Sequence, residues 1–192
     1  MARRAEAELL PVPYFHVVLT LPPAAAEIAF QNKALLYGLL MRTAAQTLTT
    51  LAANPKRLGA RLGFVAVLHT WGQTLTHHPH VHCLVPSGGV ALDGGSWVAC
   101  KPNFFLSVRA LSRLFRRPFL DGLEAAFQKD KLRFFGALEP LADPNAFAER
   151  LRLLRRDQCR VGGDVAIPTP RRPGRAVFPH PVLHGRVSLA LA

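Results

Sequence analysis

Cysteine is scarce in this chain: three in 192 residues, at Cys83, Cys100 and Cys159, with no Cys-x-x-Cys pair. That spacing excludes a disulfide framework or a structural zinc finger and implies a reducing, cytosolic setting. Tyrosine is scarcer still, confined to Tyr14 and Tyr37. Acidic residues number 12 against 24 basic ones, a formal charge of +12 with a pI near 11.0. Only five of the basic residues are lysines. The opening MARRAEAELLPVPYF has no apolar core of signal-peptide length, and no window is long and charge-free enough to span a membrane.

Hydrophobic residues make up 49% of the chain, too many for a disordered protein and enough for one ordinary domain. The planar guanidinium grips phosphate oxygens in pairs, so an arginine-dominated excess makes DNA the first partner to expect. An anionic membrane surface ranks second, and a GC-rich genome would raise arginine without any binding role.

Val12 to Leu21 is a β-branched and aromatic run stopped by Pro22-Pro23, which predicts a buried strand. His16 within it reads as a neighbour on the polar face. Residues 24–53 carry apolar side chains at near-helical spacing, predicting one long helix or two broken near Gly38 and ended by Asn54-Pro55. Lys56, Arg57 and Arg61 form a basic turn, either a phosphate contact or a solvated loop. Strands are predicted over 63–75 and 80–86, a hairpin loop or flexible connection over 87–96, and a short returning strand at 97–99. Ser107 to Lys129 predicts an amphipathic helix kinked at Pro118, with Arg109, Arg113, Arg116 and Arg117 on its polar side. Those arginines form either a DNA-facing stripe or a solvated surface. Residues 131–135 read as an edge strand and 144–157 as a last helix. Residues 159–192 hold prolines and arginines without a sustained period, so a domain over 1–158 followed by an irregular tail is expected.

The stretch 68–86, LHTWGQTLTHHPHVHCLVP, holds five of the eight histidines. On a strand His80 and His82 share one face, about 7 Å apart at the backbone, so both imidazoles can reach one divalent ion. On the preceding strand His69, Trp71 and Gln73 fall on one face, and His69 or Gln73 can complete the site if the two strands pair. The alternative is a half-buried strand whose polar face is rich in histidine. His77 and His78 precede Pro79 and read as loop residues.

Three segments carry a family resemblance: ELLPVPYFHVVLTLP, LGFVAVLHTWGQTLTHHPHVHCLVPSGG, and FFLSVRALSRLFRRPFLDGL with KLRFFGALEPLADPNAF. Together they resemble the two-tyrosine transposases of rolling-circle insertion sequences, which carry a histidine–hydrophobic–histidine (HUH) motif. The resemblance implies an α+β fold, a palm-like antiparallel sheet flanked by helices. It also implies that His80 and His82 present Mg²⁺ or Mn²⁺ to the scissile phosphate of single-stranded transposon ends, with Trp71 or Phe105 stacking on bases. Family members carry a cysteine-rich zinc domain before the palm and a Tyr-Leu-x-Arg-Tyr helix beyond position 160; neither is expected here, so strand cleavage is expected to be impaired. A frameshift near 157–159 would explain the composition of the tail. A DNA-binding module without chemistry, acting beside an intact transposase, and an unrelated His-x-His metal enzyme are the competing readings.

Overall fold

The computed structural model describes residues 10–72, 76–101 and 105–156, together with the backbone of Val161–Ile167. Its frame is a four-stranded antiparallel sheet in the order β3 (Val65–Trp71), β4 (His77–Pro86), β1 (Tyr14–Thr20), β7 (Val161–Ile167). A second sheet is smaller, in the order β2 (Ala60–Arg61), β5 (Gly88–Ala91), β6 (Trp97–Ala99). The helices are α1 (Pro23–Gln31), α2 (Lys33–Ala53), α3 (Val108–Gln128) and α4 (Pro144–Arg156), with a 3₁₀ segment at Gly136–Ala142 before α4. The α+β expectation is met.

Alternation along the central strands sets the two faces of the large sheet. Phe15, Val17 and Leu19 of β1 and Val81, Cys83 and Val85 of β4 are buried in one cluster with Leu36, Leu40 and Leu48 of α2 and Phe115, Phe119 and Leu123 of α3. Each such side chain contributes about 1.5–3 kcal/mol when withdrawn from water, so this face fixes the register. The helices therefore cover one face. His16, Val18 and Thr20 of β1 and His80, His82 and Leu84 of β4 occupy the other, and all are only partly buried.

Several boundaries differ from the sequence expectation. The long helical run breaks at Asn32, not near Gly38. Asn32 is buried, and its side-chain amide donates to the carbonyls of Ile28 and Arg133 while its oxygen accepts from the Arg133 amide. Gln31 makes the matching pair with the backbone of Phe135. Residues 131–135 are consequently not an edge strand: two carboxamides, and no neighbouring strand, bond to the backbone of Arg133 and Phe135. Within 87–96, Gly88–Ala91 is a strand and not a flexible connection. It can pair on both sides because Gly88 and Gly89 have no side chain: a Cβ at Gly88 would lie 2.5 Å from the Val98 carbonyl and 2.6 Å from the Trp97 indole, and one at Gly89 would meet the Arg61 carbonyl. In the segment expected to be an irregular tail, Val161–Ile167 pairs antiparallel with β1 at the sheet edge. Helix α3 runs uninterrupted through Pro118, and Ser107 stands at its N-cap position without a capping side-chain bond.

Candidate metal centre

His69 lies on β3 directly opposite His80 of β4, and His82 follows two residues along the same face. Because strand neighbours on one face stand close, their three imidazoles converge. Ligand atoms of all three lie within 4.8 Å of one another. The ring centroids are 5.4 Å apart for His69–His80, 4.2 Å for His69–His82 and 4.8 Å for His80–His82.

Two neighbours orient these rings. The His80 Nδ1 lies 2.5 Å from the His78 carbonyl, so it carries the proton and leaves Nε2 with a lone pair. His16 of β1 places Nε2 2.6 Å from the Nδ1 of His82, with the two rings stacked at 15°. One proton lies between those nitrogens. The Nε2 of His82 is buried and has no hydrogen-bond partner among the described residues. A buried imidazole nitrogen without a partner is costly unless something binds it, and a cation held by the three rings would satisfy it. The donor set thus fits a metal ion.

The electrostatics agree. Withdrawal from water lowers the pKa of His69 and His80, and it pushes His82 down to about 3, helped by the charges that His69, His80 and His16 would carry if protonated. At neutral pH the imidazoles are therefore neutral, the form that ligates metal. The triad can hold a metal ion.

The remaining predicted residues are dispersed around this point. Gln73 lies outside the described residues. His77 and His78 belong to β4 and are not in a loop; Pro79 is tolerated inside the strand because its polar backbone atoms face the end of β1, where its carbonyl accepts from the Leu21 amide one residue beyond Thr20 and the absent N–H breaks no bond inside the β1–β4 ladder. Trp71 is more than half exposed at the end of β3, edge-on to His77. Phe105, the alternative to Trp71 for base stacking, is partly buried and stacks on Phe15 at 5.3 Å against the core. Lys56 and Arg57 are exposed in the turn after α2, and Arg61 is exposed on β2. Arg109, Arg113, Arg116 and Arg117 ride on α3, whose apolar side packs on the opposite face of the sheet from the triad. Arg117 pairs there with Asp121 at 3.7 Å. The sequence reading gave His16 only a neighbour's role; the alternation of YFHVVLT was the available signal for its face. Tyr37, read as lying inside the early helix, donates or accepts a 2.8 Å hydrogen bond with His77 Nε2.

Residues 63–170, which contain the whole triad, match the Y2_Tnp family, described as "Putative transposase". The chain is 63% identical over 150 residues to "Putative transposase y4qJ" of Sinorhizobium fredii (strain NBRC 101917 / NGR234), covering 78% of this chain and 38% of the relative. It is 43% identical over 82 residues to "Transposase for insertion sequence element IS801" of Pseudomonas savastanoi pv. phaseolicola, covering 43% of this chain and 19% of that protein. The chain thus spans less than two fifths of the length of these curated relatives. Among solved structures, a conjugative relaxase TrwC in complex with oriT DNA superposes with a TM-score of 0.49 at 16% identity, over 79% of this chain and 66% of that one. The family match runs through both triad strands, and the chain belongs to the Y2_Tnp transposase family.

Proposed function

We propose that this chain is the metal-binding palm of a transposase and that it engages single-stranded DNA on the open face of its large sheet. The observation that carries the reading is the buried, unpartnered Nε2 of His82 beside His69 and His80, in a chain of transposase family. In this reading His69, His80 and His82 hold a divalent ion, with Gln73 as a further candidate. All-nitrogen donors favour Mn²⁺ over Mg²⁺. Such an ion would supply Lewis-acid polarisation of a scissile phosphate oxygen. Lys56, Arg57 and Arg61 attract the strand, and Trp71 offers an exposed ring for stacking. Arg109, Arg113, Arg116 and Arg117 form a separate basic surface for longer DNA, and an intact transposase is a candidate partner.

Cleavage needs a nucleophile as well as an ion. Tyr14 is buried with its hydroxyl tied to the backbone of Leu10, and Tyr37 is tied to His77. Neither stands in a Tyr-Leu-x-Arg-Tyr string. This favours, as the second reading, a protein that binds metal and DNA without forming a phosphotyrosine link itself.

Calorimetry with Mn²⁺, and a denaturing gel of labelled single-stranded DNA incubated with the full chain, test both readings. Wild type is expected to bind Mn²⁺ and DNA, and the double variant His80→Ala with His82→Ala to lose Mn²⁺ binding altogether. Unchanged Mn²⁺ affinity in that variant removes the metal claim. A metal-dependent covalent protein–DNA adduct removes the claim of impaired cleavage.

A further inference from the structure

Beyond the triad, the same sheet face turns apolar. Leu84 follows His82 by two residues on β4, Val65 lies opposite Leu84 on β3, and Tyr14 lies opposite Pro86 on β1. These side chains floor a cavity of about 330 Å³ whose other wall is the small sheet, through Arg61, Val90 and Trp97. That volume is at the small end of organic-ligand pockets, which run about 300–1,000 Å³. The cavity is built by the glycine pair described above: with no Cβ at Gly88, the Trp97 indole lies directly over the β5 backbone while remaining 42% exposed. Val65 and Val90 are likewise 52% and 41% exposed. Arg61 is exposed and has no ion-pair partner among the described residues.

An exposed indole, aliphatic walls and an uncompensated guanidinium make a combination suited to a flat aromatic ring joined to an anion. Nucleotides have that chemistry: a base stacks on the ring and the adjoining phosphate meets the cation. The position sharpens the assignment. Leu84 is about 7 Å along the strand from His82 on the same face, so a strand passing the triad reaches the cavity within its next nucleotides.

We propose that this cavity receives one unpaired base of a single-stranded DNA whose neighbouring phosphate lies at the triad, stacked on Trp97 and with Arg61 on its backbone. It is a base-recognition pocket beside the phosphodiester site, and it rests on the reading of the triad given above. The occupant is a nucleobase and not a peptide because the cation in the wall makes no ion pair among the described residues and the whole chain carries a formal charge of +12.

The test compares two short single strands of equal length, an oligothymidylate and an all-abasic strand with the same phosphates. Binding of each to the full-length chain is followed by fluorescence anisotropy, with Mn²⁺ affinity measured alongside. Wild type is expected to prefer the oligothymidylate. Trp97→Ala, and independently Val90→Glu at the exposed wall, are expected to cut that preference about five- to 100-fold, with the abasic strand and Mn²⁺ bound as before. Val90→Glu keeps the test decisive if loss of the indole unsettles the small sheet. Retention of the full preference in Val90→Glu, or equal losses on both strands in both variants, overturns the pocket, and the cavity is then left to the segment before Leu10 or to a protein partner. Failure of wild type to bind either strand overturns the DNA reading itself and the pocket with it, so the two failures are told apart.

Discussion

At the scale of single residues, the geometry of the triad depends on a histidine outside it. His16 Nε2 and His82 Nδ1 share one proton across 2.6 Å. With the proton on His82, its Nε2 keeps a lone pair turned to the triad. With the proton on His16, His82 is free to take the other tautomer, whose Nε2–H repels a cation. A positioning partner of this kind typically accounts for about 10- to 100-fold in metal affinity. His16→Ala is therefore expected to weaken Mn²⁺ binding by about that factor in calorimetry, and His16→Gln, whose amide oxygen can accept the same proton, to recover part of it. Equal affinity in wild type and His16→Ala would show that His16 only fills space. His80 and His82 were legible in the sequence because their alternation is local to one strand, and His69 because the preceding run reads as a strand able to pair with it. The contact between His16 and His82 joins residues 66 apart and depends on the β1–β4 register, which no local pattern encodes.

At the scale of elements, local propensity located the helices and strands, while tertiary hydrogen bonds decided where they break. Gly38 was the expected weak point of the early helix because glycine costs about 1 kcal/mol relative to alanine there. Packing of the α2 apolar face readily offsets that amount, and the break falls instead at Asn32, whose side chain serves residue 133, 101 positions away. Pro79 misled in the opposite direction: proline marks a strand end unless its missing donor falls beyond the end of the neighbouring strand, as here past Thr20 of β1. The strand at Gly88–Ala91 was hidden because two glycines read as a loop until the neighbours that crowd them are known. Asn32→Ala would leave the Arg133 amide and carbonyl without these partners. It is expected to lower stability by about 1–3 kcal/mol in urea unfolding while leaving Mn²⁺ affinity as in wild type, since Asn32 lies on the helical side of the sheet. A fall in metal affinity matching the loss of stability would instead mean that the α1–α2 junction holds the triad strands in place.

At the scale of the whole molecule, the exposed basic side chains named above form two groups with the large sheet between them. Lys56, Arg57 and Arg61 belong to the turn and small sheet beside the apolar cavity, whereas Arg109 and Arg113 are exposed on α3 behind the helical layer. Around α3, acids already offset part of the charge: Arg155 of α4 bonds Asp121 and Glu124 at 3.0 Å, and Arg117 also meets Asp121. A single strand lying along the triad face should release counterions chiefly from the first surface. Each phosphate neutralised contributes about 0.7 to the slope of log affinity against log salt for single strands. Arg61→Gln is expected to reduce that slope by about 0.7 on short and long oligonucleotides alike. Arg109→Gln with Arg113→Gln is expected to leave the short strand unaffected and to lower the slope only once the DNA is long enough to pass round the sheet edge. Anisotropy titrations across a salt series make the comparison directly. If the α3 pair changes the slope for the shortest strand that binds while Arg61→Gln does not, the DNA lies on the helical layer, and the triad face is not where this protein meets it.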